Sequence, residues 1–366
     1  MSPRALSDGK PEAALARIAA VSGKRVEPQT LLPVEIVLEL SGEAVRSRIC
    51  TFTDANGKEH CLRPDLTTPI AQRVATGDWD VARYHASGPV YRLPRRGSND
   101  PVEHQQIGFE WFGEQGSPQE DAQALSVALE AALAGGVRGA SVRFGDVAIY
   151  HAVIDALPFS QQWRDRLRRA FSRRKGPREL LDGVTRGHAD VPALAAQIGV
   201  LAEAQSVQAV SEMLTGMGLE PVGRGPEDIA ERLRDKAQDK APDTGSSAAL
   251  VHYLGLNGPV GRSISALDDF ARDESLKIQP ALDAYKRRID LIAALNPPFW
   301  SNATFSATQG QSFEYYDGFV FELATEQDRP IVSGGRYDGL ISRLSGGYRK
   351  ASAIGAALRV DRLGDA

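Results

Sequence analysis

The hydrophobic pattern of the chain changes twice. Up to about residue 145, short runs with the two-residue alternation of β-strands recur between helical stretches. From 146 to 297 the apolar positions recur mostly at helical spacing, and after Pro298 the strand pattern returns. We therefore predict an α+β core in two parts, 1–145 and 298–366, that build one mixed sheet, with a mostly helical insertion at 146–297 between them.

Short elements are predicted in the first part. A helix is expected at 11–21, and residues 26–43 combine a proline-broken extended segment with an apolar helical stripe. A hairpin is expected at 49–63, and strands at 82–92, 105–112 and 140–144.

Two helix starts carry recognisable end signals. Thr68 followed by Pro69 is typical of an N-cap with proline at the first helical position. The run Ser-Pro-Gln-Glu at 117–120 is typical of a capping box, and Gly135 and Gly136 predict the end of that helix.

Two cysteines, Cys50 and Cys61, flank the turn signal in the hairpin. If Asn56 and Gly57 form a two-residue turn, Cys61 faces Phe52 and Cys50 lies diagonal to it. That separation is too wide for a disulfide, so we expect both thiols to be reduced.

The composition excludes several classes of protein. With 366 residues, 42% hydrophobic and 25% charged, the chain can bury a large core and is typical of a soluble globular protein. A formal charge of -4 argues against a general nucleic-acid binder. No apolar run approaches the roughly 18 residues of a membrane span, and no signal core is present, so a cytoplasmic protein is expected. No metal-ligand motif or phosphate loop occurs, and neither a metal nor another cofactor is expected.

A pocket floor is predicted on the strand at 105–112. Alternation places Ile107, Phe109 and Trp111 on one face and an amide, a glycine and a carboxylate, Gln106, Gly108 and Glu110, on the other. The missing side chain at Gly108 would leave room for a ligand.

Paired tyrosines precede the later strand that contains Phe319 and Phe321. Tyr315 and Tyr316 offer flat walls with a hydroxyl at the tip, which suit a heteroaromatic ligand. Any one of these residues alone is better explained as a hydrogen-bonded core position, and it is their combination that indicates a pocket.

These segments resemble the catalytic core of class II aminoacyl-tRNA synthetases, specifically histidyl-tRNA synthetase. The resemblance rests on CTFTDANGKEHCLRPDLTTP (50–69), GPVYRLPRRGSNDPVEHQQIGFEWFG (88–113, similar to motif 2), FEYYDGFVFEL (313–323), SGGRYDGL (333–340) and ASAIGAALRVDRL (351–363, similar to motif 3). It implies a class II synthetase-like antiparallel sheet flanked by helices. Pro33 matches a motif 1 proline, which in the family lies at a dimer interface, so a homodimeric core is implied.

The resemblance also implies a histidine pocket. Carried over by position, Asp65 and Thr67 would hold the ligand ammonium with Gln106 and Glu110 beside it, and Arg92 could pair with the ligand carboxylate. The tyrosines around the imidazole would be Tyr315, Tyr316 and Tyr337.

Departures from the family fall on the positions that bind ATP. Gln311 and Asp100 stand where the family has phosphate-binding arginines, His104 replaces the ring that stacks on adenine, and Arg359 replaces a motif 3 glycine, while Arg362 is retained. Phosphoryl chemistry needs cations around the phosphates. The sequence ends three residues after Leu363, so an anticodon-binding domain is not expected.

This pattern is similar to a synthetase-like family, the regulatory subunits of ATP phosphoribosyltransferase. The likeness implies a catalytically silent subunit that senses L-histidine and binds the short-form catalytic subunit in the first step of histidine biosynthesis, within a hetero-oligomeric glycosyltransferase. One alternative is a truncated histidyl-tRNA synthetase or a stand-alone histidine-activating paralogue. The basic stretch 164–175 is better explained as a solvated helix face than as a protein or RNA contact.

Overall fold

The computed structural model describes residues 10–41, 43–94, 97–98, 100–113, 115–171, 176–185, 193–218, 225–238, 241–310, 315–325 and 329–363. The chain forms two compact units. One contains the residues up to 156 and from 252 onward, and the other contains 157–251. Among the described residues, no helix is both long and apolar enough to cross a membrane.

The helices of the first unit come from both ends of the chain. They are α1 (Lys10–Ala19), α2 (Val34–Ser41), α3 (Thr67–Thr76), α4 (Pro118–Ala134) and α5 (Val147–Ala156), followed later in the chain by α12 (Val260–Asp273), α13 (Gln279–Leu295) and α14 (Gly339–Leu344). Short 3₁₀ helices lie at Glu43–Arg48, Trp300–Asn302 and Val360–Arg362. The helices between them in the chain are α6 (Gln161–Phe171), α7 (Pro177–Thr185), α8 (Ala193–Gly199), α9 (Glu203–Gly216), α10 (Pro226–Gln238) and α11 (Thr244–Leu254).

The strands confirm the prediction of a sheet shared by the two ends of the chain. They are β1 (Lys24–Arg25), β2 (Leu31–Pro33), β3 (Thr51–Thr53), β4 (Glu59–Leu62), β5 (Arg83–Tyr91), β6 (Glu103–Gly113), β7 (Ala140–Asp146), β8 (Asn257–Pro259), β9 (Thr304–Ser306), β10 (Phe319–Thr325), β11 (Pro330–Arg336) and β12 (Ser352–Arg359). In the described part of the chain, nine of them form one sheet in the order β1-β5-β6-β12-β11-β10-β7-β9-β8. Its centre, from β5 to β7, is antiparallel throughout.

Strand β6 shows how the sheet separates an apolar face from a mixed face. Trp111 packs on the side of α1, where its indole N–H donates to Ser22 Oγ at 3.0 Å. Phe112 lies on the opposite face in one buried cluster with α3, α14 and Tyr337. The predicted alternation of β6 is therefore confirmed, and Glu110 lies on the face that α3 and α14 cover.

Buried charges join segments that are far apart in the chain. Asp121 of α4 is 1% exposed and accepts from Arg288 of α13 at 2.7 Å and from Arg336 of β11 at 2.6 Å. Arg288 also donates to Asp146 at 2.5 Å. Since a buried charge needs a partner, this network fixes α13 against the sheet.

The helical segment at 146–297 divides between the two units. Helices α5, α12 and α13 and strand β8 belong to the first unit, and residues 157–251 form the second. In the second unit, the predicted apolar stripe of α6 is buried, as Trp163, Leu167, Ala170 and Phe171 show. The guanidinium of Arg166 lies 4.9 Å from the centre of the Trp163 ring, and the last four residues of the basic stretch, 172–175, lie outside the described residues.

The hairpin register predicted from Asn56 and Gly57 is wrong. Cys61 pairs with Thr51, and Phe52 pairs with His60. Asp54 causes the shift, because its carboxylate accepts from the backbone N–H groups of Asn56 and Lys58 at 2.8 and 3.0 Å and so stabilises a longer turn. Both cysteines are free thiols, as expected.

The predicted start of α3 is two residues late. The helix begins at Thr67, and Thr68 lies inside its first turn. Asp65 supplies the cap, because its Oδ1 accepts from the Thr68 N–H at 2.7 Å. The start of α4 agrees with prediction, since Ser117 Oγ accepts from the Glu120 N–H at 3.2 Å.

Candidate functional site

Glu110 lies at the centre of the candidate site. Its side chain projects from the middle of β6 and is 2% exposed. Gly355 lies opposite it on β12, and a Cβ at Gly355 would overlap the Glu110 carboxylate. The glycine therefore makes the space into which the carboxylate fits.

Two hydroxyl groups hold this carboxylate. Thr67 Oγ1 donates to Oε1 at 2.5 Å, and the Tyr337 hydroxyl donates to Oε2. Burial raises the pKa of Glu110 to about 8, against the lowering effect of these two hydrogen bonds, and the nearby Asp65 charge adds to the rise. With this pKa the protonated acid predominates at neutral pH, and one of the two hydroxyl groups then accepts its proton instead of donating.

The start of α3 brings a second carboxylate to the site. Asp65 is buried and uses Oδ1 to cap the helix, while its Oδ2 lies 3.8 Å from Arg92 Nη2. Arg92 also donates from Nε to the Pro64 carbonyl at 2.6 Å. The predicted carboxylate-binding arginine is thus anchored beside the predicted ammonium-binding aspartate.

Three tyrosines form the aromatic side of the site. The ring centres of Tyr315 and Tyr316 are 4.7 Å apart, and those of Tyr337 and the pair are 5.7 and 6.5 Å apart. Burial, first of all, and the neighbouring charge of Glu110 raise the pKa of Tyr337. All three rings therefore stay neutral hydroxyl donors and flat apolar walls at physiological pH.

Gln106 lies on the same face of the strand, four residues before Glu110. It is buried, and its Oε1 has no hydrogen-bond partner among the described residues. A buried amide oxygen without a donor is rare in folded proteins. It is an acceptor available to a bound group.

Gly108, between these two residues, does not open a space for a ligand as predicted. A Cβ there would lie 3.0 Å from the Ala356 carbonyl oxygen and 3.7 Å from the Ala357 Cα. The neighbouring strand β12 fills that volume, so the glycine serves strand packing.

Two of the positions predicted to have lost ATP binding, Asp100 and Arg359, pair with charges of the chain itself. Asp100 Oδ1 lies 3.3 Å from Arg362 Nη2, and Arg362 also donates to the Pro330 carbonyl at 2.5 Å. Burial alone would raise the pKa of Asp100, but the charges of Arg362 and Arg359 outweigh it and lower the pKa.

Arg359 pairs with a carboxylate two residues later in the chain. Its guanidinium forks onto the Asp361 carboxylate, with Nε to Oδ1 at 2.8 Å and Nη2 to Oδ2 at 2.7 Å. The bidentate geometry satisfies its charge locally.

His104 is buried close to these arginines. Burial, and then the charges of Arg359 and Arg92, lower its pKa to about 3, so the imidazole is neutral. Neither ring nitrogen has a partner in the described part of the chain. Gln311, the remaining predicted departure, lies outside the described residues.

The structure thus brings together seven of the predicted histidine-binding residues, and Gln106 lies four residues before Glu110 on the same face of β6. Sequence reasoning missed Gly355 and Asp317, whose carboxylate accepts from backbone N–H groups next to Tyr337. The signal for Gly355 was present, since a lone glycine interrupts an apolar strand. Within the described ranges, no group of three or more His, Cys, Asp or Glu side chains could hold a metal.

Comparison with known sequences places the chain among synthetase-like proteins. The family profile described as "Histidyl-tRNA synthetase" matches residues 10–220 and 227–363. Two similar proteins are the ATP phosphoribosyltransferase regulatory subunits of Mesorhizobium japonicum and Agrobacterium fabrum. Each is 31% identical over 361 residues, which cover 94% and 95% of this chain, respectively, and 94% of each relative.

Solved structures confirm the class II synthetase-like fold. An ATP phosphoribosyltransferase regulatory subunit/histidyl-tRNA synthetase from Bacillus halodurans aligns with a TM-score of 0.66 at 21% identity, over 98% of this chain and 78% of that one. A histidyl-tRNA synthetase from Nostoc sp. aligns with a TM-score of 0.62 at 15% identity, over 99% of this chain and 72% of that one. By sequence and by fold, this chain belongs to the ATP phosphoribosyltransferase regulatory subunits, a histidyl-tRNA synthetase-like family.

Proposed function

We propose that the chain is a catalytically silent, histidine-binding subunit that acts in the cytoplasm. It binds the short-form catalytic subunit of ATP phosphoribosyltransferase and sets the activity of that glycosyltransferase in the first step of histidine biosynthesis. The names of its relatives support the assignment of the partner. The geometry of the candidate site supports L-histidine as the ligand and the absence of catalysis.

The ligand is a zwitterion with a heteroaromatic side chain. Its ammonium meets Glu110 and Asp65, and each charge-assisted hydrogen bond to a carboxylate contributes about 1.5 to 3 kcal/mol. The unpartnered Gln106 Oε1 supplies a further acceptor. The tyrosine walls accept an imidazole ring edge-on or stacked, and Arg92 lies beside Asp65 to meet the ligand carboxylate.

The ion pair between Arg362 and Asp100 is the observation that best supports catalytic silence. A synthetase leaves such an arginine available to a phosphate, whereas here a carboxylate of the chain lies within 3.3 Å of it. A triphosphate would have to displace Asp100 and then lie beside its charge. Because adenylate formation depends on positive charge around the phosphates, this end of the cleft opposes it.

Regulation follows from differential affinity. Histidine changes the activity of the partner only if it binds one arrangement of the hetero-oligomer more tightly than the other. A coupling free energy of about 1 to 3 kcal/mol is typical of allosteric pairs. A homodimeric core would present two such pockets to the catalytic subunits.

Reconstitution tests the proposal. The purified chain is mixed with a short-form phosphoribosyltransferase, and phosphoribosyl transfer to ATP is measured together with co-elution on a sizing column. Raised turnover in a co-eluting complex, reduced again by L-histidine, is the expected result. A separate elution with unchanged turnover would refute the regulatory role.

A further inference from the structure

Asp317 connects the two segments that carry the three tyrosines of the pocket. Its backbone N–H donates to the Arg336 carbonyl at 3.0 Å. Its carboxylate accepts from the N–H of Asp338 at 3.0 Å and from the N–H of Gly339 at 2.6 Å. One residue therefore makes three hydrogen bonds between the segment after Tyr316 and the segment around Tyr337.

The neighbouring Asp338 cannot replace Asp317 in these hydrogen bonds. Its Oδ1 already accepts from Arg336 Nη1 at 2.9 Å and from the Ala353 N–H at 2.8 Å. Asp338 occupies the N-cap position of α14 without a side-chain cap. The N–H groups at the start of α14 therefore depend on Asp317, from a separate segment of the chain.

We propose that Asp317 is a positioning residue that sets the spacing of Tyr315, Tyr316 and Tyr337 and thereby the affinity of the pocket for its ligand. The ligand part of this inference rests on the proposed histidine site. The clamp itself is a property of the empty protein and can be measured without a ligand.

The charge state of Asp317 gives the clamp a characteristic pH dependence. Burial raises its pKa to about 6, against the lowering effect of the Gly339 N–H, while the charge of Asp338 raises it and that of Arg343 lowers it. Above pH 6 the ionised carboxylate accepts both N–H groups. Below pH 6 the protonated acid prevails in the closed clamp, and because the carboxyl would have a lower pKa in water, protonation opposes any opening that exposes it.

The same shift acts on global stability in the same direction. A pKa above the ordinary value means that the folded state holds this proton more tightly than the unfolded state does. Protonation between pH 7 and pH 5 therefore stabilises both the fold and the closed clamp through this group.

Hydrogen exchange tests the clamp in the full chain without a ligand. Exchange rates of peptides covering 315–318 and 337–344 are corrected for intrinsic pH dependence and compared between pH 5 and pH 7.5 in wild type, in Asp317→Asn and in Asp54→Asn. Asp54 is the matched control, because its carboxylate also accepts from two backbone N–H groups, at the hairpin turn.

We expect protection of both segments in wild type and in Asp54→Asn, greater at pH 5 than at pH 7.5, and low protection at both values in Asp317→Asn. The margin in thermal stability of wild type over Asp317→Asn should widen toward pH 5. Equal protection in Asp317→Asn and wild type would overturn the proposal.

Titration with L-histidine separates the clamp from the proposed ligand. At pH 7.5 we expect Asp317→Asn to bind L-histidine about tenfold more weakly than wild type and Asp54→Asn to bind it equally. Equal affinity in Asp317→Asn would overturn the positioning role. Failure of wild type to bind L-histidine, with the exchange results as expected, would support the clamp and refute the ligand assignment.

Discussion

Binding of L-histidine should draw a proton out of Glu110. Burial raises the pKa of this carboxyl to about 8. An ammonium brought against it favours the ionised form, so binding and deprotonation are linked. The perturbation is Glu110→Gln, which keeps the shape of the side chain and removes its titration.

The size of the effect follows from that pKa. At pH 7 roughly nine-tenths of the empty sites carry the proton, so each binding event releases about 0.9 proton from this group. Ionising it at pH 7 costs about 1.4 kcal/mol, and at pH 8.5 about 0.2 kcal/mol. Wild-type affinity should therefore rise about eightfold between the two values. The affinity of Glu110→Gln should not.

The amide also loses the charge-assisted bond, which contributes about 1.5 to 3 kcal/mol. At pH 7 the cost of ionising Glu110 offsets much of the free energy gained from that bond, so wild type should bind only about one- to fifteenfold more tightly than Glu110→Gln. At pH 8.5 the ratio should reach roughly ten- to hundredfold.

Calorimetry measures both quantities. Titrations in buffers of different ionisation enthalpy give the protons released, and the difference between wild type and Glu110→Gln removes the contribution of the ligand's own groups. An affinity ratio that stays constant from pH 7 to pH 8.5, with equal proton release by both proteins, would refute the linkage. It would mean that Glu110 does not meet the ammonium.

Three further changes test other parts of the structure. Gly355→Ala places a Cβ against the Glu110 carboxylate and the Phe109 carbonyl and should cost about 1 to 3 kcal/mol of stability, measured by urea unfolding. Gly261→Ala, with open space around its Cβ position, should cost nothing, and equal effects would contradict the packing argument. Arg288→Met leaves Asp146 and Asp121 short of a buried partner and should cost about 3 to 5 kcal/mol. Its control, Arg272→Met, breaks an exposed pair with Asp269 and should change stability by less than about 1 kcal/mol, so a similar loss in both would count against the buried network. Asp100→Asn releases Arg362 from its ion pair and should raise pyrophosphate affinity at least about tenfold, an effect that calorimetry would contradict by showing no change.

The alternation of β6 could be predicted because successive side chains of a strand point to opposite faces of the sheet, and only one orientation buries the apolar set. The same pattern identified Gln106 and Glu110, which lie on one face as expected. The two-part sheet followed from the return of strand signals after Pro298.

Contacts that depend on chain geometry could not be predicted. The turn at Asp54 shifted the hairpin register, since one carboxylate accepted from two N–H groups and favoured a longer loop. Asp100 and Arg362 are 262 residues apart in the chain, so only the fold shows that they form an ion pair. Asp317 likewise has a role only because the fold brings its carboxylate to the N–H of Asp338, 21 residues later in the chain.

In the proposed function, one cleft accepts L-histidine and rejects a nucleotide. Histidine-dependent exchange of pyrophosphate into ATP tests both halves of this statement when it is run beside calorimetric titrations of the same protein with L-histidine and with magnesium ATP. We expect saturable binding of L-histidine, no exchange and no binding of ATP in the cleft. Exchange that requires L-histidine would contradict it, because the chain would then be an activating enzyme.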